Sequence, residues 1–103
     1  MNDTLQKTDT KSLFIEGRLW FDKTYGNTYF SNRVWVNGKV AFIMPMEYGY
    51  EMQYEHRALA ELKARGYINS TTRWELRDEQ GIAFYSVATY GKKNELFKEG
   101  INA

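Results

Sequence analysis

The chain has 103 residues, no cysteine and a net charge of +1, the balance of 14 basic and 13 acidic side chains. Its length fits one domain with a single core, and the lack of cysteine excludes disulfides and thiolate metal sites. The near-neutral charge argues against a DNA mimic, which needs a strongly acidic surface, and against a protein that mainly grips duplex phosphates. Aromatic residues make up 17% of the chain, so some rings should stay on the surface, where aromatic patches often mark a binding face.

The two ends of the chain are polar. Residues 1–12 (MNDTLQKTDTKS) predict a disordered leader and lack the apolar segment of a signal peptide, and residues 98–103 predict a loose tail. No apolar run approaches the roughly 20 residues that span a bilayer. We therefore expect a cytoplasmic protein that does not enter a membrane, with one folded domain over residues 13–97.

Two predicted strands follow the leader. The first covers about Leu13–Asp22, and the second runs from about Thr28 to Val36. The connection between them contains Gly26 and Asn27, which adopt turn conformations readily. On the first strand we expect one face to carry Leu13, Ile15, Leu19 and Phe21 and the other to carry Phe14, Glu16, Arg18, Trp20 and Asp22.

Asn37-Gly38 gives the strongest local signal in the chain, a type I′ hairpin turn, because both central positions of that turn need positive φ. Such a turn fixes the register of the hairpin. Pro45 should end the third strand or place it on an edge. The expected pairs are Val36–Lys39, Trp35–Val40, Val34–Ala41, Arg33–Phe42 and Asn32–Ile43, so that Phe42 and Met44 share a face with Trp35, while Ala41 and Ile43 share the other with Val34.

A helix is predicted over residues 50–65. Met52, His56, Leu59 and Leu62 recur with helical spacing, and Gly66 is suited to the position that follows the last turn.

The stretch 70–81 is ambiguous. Apolar residues alternate there as in a strand, and residues 78–81 suit a hairpin turn, whereas Thr72 and Glu75 have the spacing of a helix capping box. We favour a short second helix, followed by a last strand at 82–90. The elements together predict an α+β fold: an antiparallel three-stranded meander, one or two helices on one face of the sheet, and a final strand. The pattern leaves open which sheet face the helices cover.

The chain lacks the residues that catalytic sites usually combine. His56 is the only histidine and falls on the predicted apolar stripe, where a core or boundary histidine is the better interpretation. One histidine with scattered carboxylates gives no zinc-ligand spacing, and no glycine-rich phosphate loop is present. We therefore predict a protein that is not an enzyme and uses no cofactor or metal.

Two binding functions remain. Single-stranded nucleic acid could stack on sheet aromatics beside basic residues, with Trp20, Tyr29, Arg33 and Trp35 as candidates, although the same rings could fill the core. Tyr, Trp, Met and Arg are also enriched at protein interfaces. The candidate contact residues for either partner are Trp20, Lys23, Tyr25, Tyr29, Arg33, Trp35, Tyr48, Tyr50 and Tyr54.

Two segments, RLWFDKTYGNTYFSNRVWVNGK and MEYGYEMQYEHRALAELKARGYI, resemble a family of small, uncharacterised proteins of bacteriophages and other mobile elements. The family pattern places W-F-x-(K/R)-x-Y-G-N-T-Y-x-S before a hairpin, a Tyr-Gly-Tyr segment and a helix. The resemblance implies a phage or prophage origin and action in the cytoplasm of a bacterial host. It brings no established activity or site. Small phage proteins without catalytic machinery often bind and redirect a host or defence-system protein, which is the function that we expect here.

Overall fold

The computed structural model describes residues 10–49 and 52–97. It confirms the α+β class: in this part of the chain a four-stranded sheet has the order β3-β2-β1-β4, and one α-helix packs on a face of it. The bounds are β1 Ser12–Asp22, β2 Asn27–Val36, β3 Lys39–Tyr48, α1 Gln53–Ala64, a π-helical turn Glu75–Glu79, β4 Ala83–Tyr90 and a 3₁₀ turn Lys93–Glu95.

The sheet is mixed because β4 returns to β1. The first three strands form the predicted antiparallel meander, while β4 lies parallel to β1 along its whole length. A parallel neighbour needs a long crossover, which residues 49–82 provide through α1 and the π-helical turn. The helix contacts β1 and β2, so it covers the centre of one sheet face.

The described structure already includes Thr10–Ser12, which fall inside the segment predicted as a disordered leader. The Thr10 hydroxyl donates to the Tyr67 carbonyl (2.9 Å), and β1 begins at Ser12. Residues 1–9 and 98–103, which hold the rest of the predicted leader and the predicted tail, lie outside the described residues.

The Asn37-Gly38 turn forms as expected, with φ of 52° and 84°. The Asn37 side chain has a further role, because its Oδ1 accepts hydrogen bonds from the backbone N–H groups of Lys11 (2.7 Å) and Ser12 (3.1 Å). The Asn37 N–H in turn donates to the Ser12 carbonyl (2.9 Å). The turn is thereby tied to the start of β1.

The predicted register between β2 and β3 is right for the first two pairs only. Val34 lies opposite Phe42 and not Ala41, because an irregularity next to Ala41 shifts the ladder by one residue. The shift turns Phe42 and Met44 towards the core with Val34, and it places Ile43 opposite Arg33 on the other face. The predicted face assignment of these three β3 residues was therefore wrong.

Pro45 lies at a second irregularity, between the pairs Phe30–Glu47 and Asn32–Met44. A residue without an N–H fits where the ladder is interrupted. The strand does not end at the proline but continues to Tyr48.

The helix is shorter than predicted, and the predicted apolar stripe is confirmed at Leu59 and Leu62 but not in the first half of the helix. Met52 occupies the N-cap position, and both Met52 and His56 are exposed, so their predicted core positions were wrong. The buried stripe is one position out of phase with His56 and consists of Tyr54, Glu55, Ala58, Leu59 and Leu62. Gly66 has a φ of 86° after the last turn.

The helix packs closely on β1 at Gly17. A Cβ at Gly17 would lie 2.5 Å from Cδ2 of Tyr54, so the tyrosine ring uses the space that this glycine leaves free. Next to it, Asn32 is fully buried and its Nδ2 donates to the Tyr54 carbonyl (2.8 Å). Phe21, predicted to share a face with Leu19, is 47% exposed, so the covered part of this face ends near Leu19.

The ambiguous stretch 70–81 is helical over residues 73–79 and does not form a hairpin. Leu76 is fully buried, and its N–H donates to the Thr72 carbonyl (3.0 Å). The capping contact differs from the predicted one, because the Ser70 hydroxyl, and not that of Thr72, bonds the Glu75 carboxylate.

A buried charge lies between α1 and β4. Glu55 is 3% exposed, and its carboxylate accepts hydrogen bonds from Arg73 Nη2 (2.8 Å) and Nε (3.0 Å) and from the Ser86 hydroxyl (2.6 Å). Burial raises the pKa of Glu55, but the bonds from Arg73 and Ser86 outweigh it, so that the pKa lies below its usual value. This network joins the helix, the residues just before the π-helical turn and β4.

Replacing Gly38 with Val should lower the free energy of unfolding by about 1 kcal/mol or more, because Val at positive φ is strained. No atom lies within 4 Å of an added Cβ, so the cost comes from the backbone alone. Urea unfolding measures it. Lys39→Val adds the same side chain at the next, exposed position and should cost much less; equal costs for the two variants would contradict the assigned turn.

Replacing Glu55 with Gln should lower the free energy of unfolding at pH 7 by about 1–3 kcal/mol, because a charge-assisted network loses its acceptor. The pKa of Glu55 is lower in the folded protein than in the unfolded chain, where it is about 4.3. The contribution of its carboxylate to the free energy of unfolding is therefore fully present above the unfolded pKa and is lost as the pH falls towards the folded pKa. The difference between the native protein and the variant should therefore shrink below about pH 4.

The matched control is Glu61→Gln, which removes an i,i+4 pair with Arg65 on the same helix. That pair is partly exposed, and its loss should cost only about 0.3–0.5 kcal/mol. A Glu55→Gln curve parallel to the native curve from pH 7 to 3 would show that the buried carboxylate does not contribute as described.

Candidate functional site

The sheet face opposite α1, here called the open face, is built from four cross-strand rows. The pairing places Tyr85, Phe14, Trp35 and Val40 side by side in a first row that crosses all four strands. The later rows follow along β1: the second contains Val87, Glu16, Arg33 and Ile43, the third Thr89, Arg18 and Ser31, and the fourth Trp20, Tyr29 and Tyr48.

Most of the predicted contact residues gather on this face. Trp20, Tyr29, Arg33, Trp35 and Tyr48 all belong to its rows because they alternate with core residues along their strands. The predicted contact residues in the β1–β2 turn lie beyond the fourth row, and both are exposed; they are Lys23 and Tyr25.

The two predicted contact residues near the helix have a different outcome. Tyr54 lies on the other face of the sheet and is 5% exposed, so its prediction as a contact residue was wrong. Tyr50 lies outside the described residues.

Residues 92–97, here called the C-terminal segment, cross the open face. The chain leaves β4 with the Gly91 N–H bonded to the Leu19 carbonyl (2.8 Å) and returns over the sheet, where the Phe97 N–H donates to the Ser31 hydroxyl (2.7 Å). Leu96 and Phe97 are buried there. Leu96 and Phe97 are apolar residues in the otherwise polar sequence from Gly91 to Glu99. Their apolar character was the feature of the sequence that could have indicated this contact.

Cations hold the Phe97 ring in place. The guanidinium carbons of Arg18 and Arg33 lie 4.8 and 4.6 Å from its centroid, and Arg18 also donates to the Glu95 carbonyl (3.2 Å). Arginine over an aromatic ring is a favourable contact, especially where water is excluded. The C-terminal segment therefore covers parts of the second and third rows.

Arg33 is also neutralised within the sheet. Glu16 Oε1 accepts hydrogen bonds from Arg33 Nε (2.8 Å) and from Trp35 Nε1 (2.9 Å). Partial burial raises the pKa of Glu16, but the hydrogen bonds from Arg33 and Trp35 outweigh it and hold the pKa below its usual value. The arrangement fixes the Trp35 indole and uses the charge of Arg33 internally.

The aromatic rings of the fourth row contact one another. Trp20 stacks on Tyr29 with centroids 5.5 Å apart, and Tyr48 meets Tyr29 edge-on at 5.8 Å. The Lys93 ammonium lies 5.5 Å from the Trp20 centroid. Trp20 and Tyr29 are therefore engaged within the molecule, whereas Tyr48 remains 59% exposed.

The first row is partly exposed: Tyr85 is 71% exposed, and Phe14, Trp35 and Val40 are half-buried. The neighbouring Val87 of the second row is 45% exposed. A shallow groove of about 230 Å³ opens at this end of the face, lined by Ser12, Leu13, Phe14, Trp35, Gly38, Ala83 and Tyr85. Small-molecule sites usually measure about 300–1,000 Å³, so this groove is better suited to a side chain of another macromolecule.

Other site types receive no support from the described residues. Over 10–49 and 52–97, no three His, Cys, Asp or Glu side chains lie close enough together to hold a metal ion. Among the helices of this part of the chain, none is both long and apolar enough to cross a membrane.

The chain was compared with models of protein families, with curated proteins and with solved structures, and none of the three comparisons gave a match.

Replacing Phe97 with Ala should release the C-terminal segment from the sheet, because the ring supplies its contacts with Arg18 and Arg33. The expected cost is about 1–3 kcal/mol, below that of a fully enclosed core phenylalanine, because the segment can detach locally. Hydrogen exchange of the backbone amide at position 97, which bonds the Ser31 hydroxyl, should approach the rate of an unstructured peptide.

Asn94→Ala changes an exposed residue of the same segment and serves as the control. It should leave the exchange rate at position 97 unchanged. An amide at position 97 that stays protected in Phe97→Ala would contradict the role given to the ring.

Proposed function

We propose that this protein acts without catalysis, by binding another protein through the first row of the open face and the groove beside it. The observation that carries the proposal is the aromatic and aliphatic row Tyr85–Phe14–Trp35–Val40, which spans four strands and is partly exposed. Tyrosine and tryptophan dominate the energetics of protein interfaces.

The rigidity of the row supports this function. Its side chains project from a hydrogen-bonded sheet, and the Trp35 indole is held by Glu16 (2.9 Å). Side chains that are already ordered lose little conformational entropy when a partner binds. The row therefore presents a preformed surface.

The partner that we propose is a host or defence-system protein in the cytoplasm of a bacterium. The resemblance of residues 18–39 and 46–68 to small phage and mobile-element proteins supports this choice. In that setting the protein would act as an inhibitor or modulator, by occupying a surface that its partner needs.

Single-stranded nucleic acid is the second candidate, because Trp20, Tyr29 and Trp35 share the open face with three cations, Arg18, Arg33 and Lys93. The contacts that these rings and cations already make within the protein disfavour nucleic-acid binding. Glu16 neutralises Arg33, Tyr29 stacks on Trp20, and Phe97 packs between the two arginines. A stacking platform needs free ring faces and cations directed towards phosphates.

Replacing Tyr85 with Ala should weaken binding of the partner at least about tenfold, as truncation of an interface hot spot does. The partner is to be captured from nuclease-treated bacterial lysate on the immobilised protein and identified by mass spectrometry, and its dissociation constant is then measured with purified components. Phe21→Ala is the matched control, because Phe21 is 47% exposed on β1 but points to the other face.

Salt dependence separates the two candidates. Affinity for a protein through an aromatic surface should change little between 50 and 500 mM salt, whereas binding to nucleic acid should fall steeply because released counterions drive it. Salt-sensitive binding of oligonucleotides that is lost in Trp35→Ala, with no protein captured, would replace the proposal by the second candidate.

A further inference from the structure

The two edges of the sheet differ in how well they are protected. The outer strand β3 contains Lys39, Pro45 and two register irregularities, all features that discourage a further strand from pairing. The outer strand β4, with the sequence AFYSVATY, has no charged residue and no proline, and it pairs with β1 in an unbroken register. An edge of this kind is a template for another extended chain.

The backbone groups of β4 alternate in direction. The N–H groups of Ala83 and Gly91 donate to carbonyls on the β1 side, at Lys11 and Leu19, so the odd-numbered residues face β1. The N–H and C=O groups of the even-numbered residues, which include Ser86, Ala88 and Tyr90, therefore point away from the sheet. In the described part of the chain β4 is the last strand on this side.

Arg77 marks one end of this open edge. Its guanidinium donates to the Phe84 carbonyl (3.0 Å), which agrees with the outward direction of the even-numbered residues. Beside it lies a depression of about 250 Å³ lined by Arg77, Ile82, Ala83, Phe84 and Tyr85. The salt bridges of the described residues involve other arginines, so Arg77 forms no ion pair within the described part of the chain, although Asp78 and Glu79 follow it directly.

We propose that the β4 edge binds an extended segment of a partner protein as a fifth strand, with an acidic side chain of that segment paired with Arg77. This inference rests on the proposed function and specifies how the partner is held. The outward backbone groups of Ser86, Ala88 and Tyr90 supply main-chain hydrogen bonds, as in other cases of strand addition. Arg77 selects a carboxylate at one end of the added strand.

The charge of Arg77 favours a partner segment, rather than a second copy of this chain, as the strand that binds the β4 edge. If two β4 edges paired antiparallel with their outward groups matched, Phe84 would lie opposite Tyr90 or Lys92 of the second copy. Neither residue offers a carboxylate, and Lys92 would repel Arg77. A partner segment with an acidic residue opposite Phe84 supplies the carboxylate that a second copy of this chain lacks.

The first measurement is hydrogen exchange of the free full-length chain by NMR. The outward amides of Ala88 and Tyr90 should exchange at least about 100-fold faster than those of Val87 and Thr89, which bond to β1. Slow exchange at all four amides would mean that a terminal segment or a second copy already occupies the edge, and would overturn the proposal.

The second measurement uses a yeast-displayed library of random dodecapeptides as the probe, selected on the full-length chain. We expect enriched peptides with alternating apolar residues and one Asp or Glu. Ala88→Pro removes an outward N–H and should weaken a selected peptide at least tenfold. Tyr90→Pro tests the same point at an exposed position, should the first variant fold poorly. A library without enriched peptides would overturn the inference.

A double-mutant cycle tests the carboxylate. Arg77→Gln should weaken the acidic peptide at least fivefold but have no effect on a peptide with Gln in place of the acidic residue. Equal losses for both peptides would overturn the pairing.

The captured partner separates this inference from the proposed function. Edge binding requires that Ala88→Pro weaken the captured partner as well as the selected peptide. A partner whose binding is lost in Tyr85→Ala but kept in Ala88→Pro would overturn edge binding and leave the proposed function standing. The proposed function fails separately, if no protein partner is captured.

Discussion

The arrangement of the whole sheet depends on the side chain of Asn37. This residue adopts the positive φ that the turn requires, and its Oδ1 binds the N–H groups of Lys11 and Ser12 at the start of β1. Three strands are thereby held in one register. A slip of one residue would exchange the two faces of a strand, moving Trp35 under the helix and Val34 into solvent. The β1 and β2 members of every row on the open face follow from this constraint.

The elements that local chemistry encodes could be predicted from the sequence, and those that depend on distant partners could not. Alternation, the Asn-Gly pair and helical spacing indicated the meander and the helix. The irregularity at Ala41 has no local signal, because it arises from the need of Phe42 and Met44 to reach the helix. The burial of Glu55 could not be predicted from the sequence either, because its partners Arg73 and Ser86 lie 18 and 31 positions further along the chain.

The same distinction applies to the candidate site. The strand residues among the predicted contacts came together because alternation alone places them on one face. Tyr54 was misassigned because neighbours in sequence were taken for neighbours on the surface. Tyr85 was missed, since its position in the first row depends on the parallel pairing of β4 with β1, which no turn or spacing specifies. The contact of the C-terminal segment with the open face was not predicted, because its anchor, Ser31, lies 66 positions earlier.

The position of β4 and the C-terminal segment in the chain has a consequence for synthesis on the ribosome. The meander consists of hairpin contacts that can form once β3 has emerged, since such contacts are close in sequence. The outer edge of β1 and the later rows of the open face are completed by residues 83–97, which are made after the meander. A nascent or prematurely terminated chain therefore exposes aromatic rows and an unpaired strand together, and both attract chaperones and other unfinished chains. Only a chain translated through β4 and the C-terminal segment can shield them.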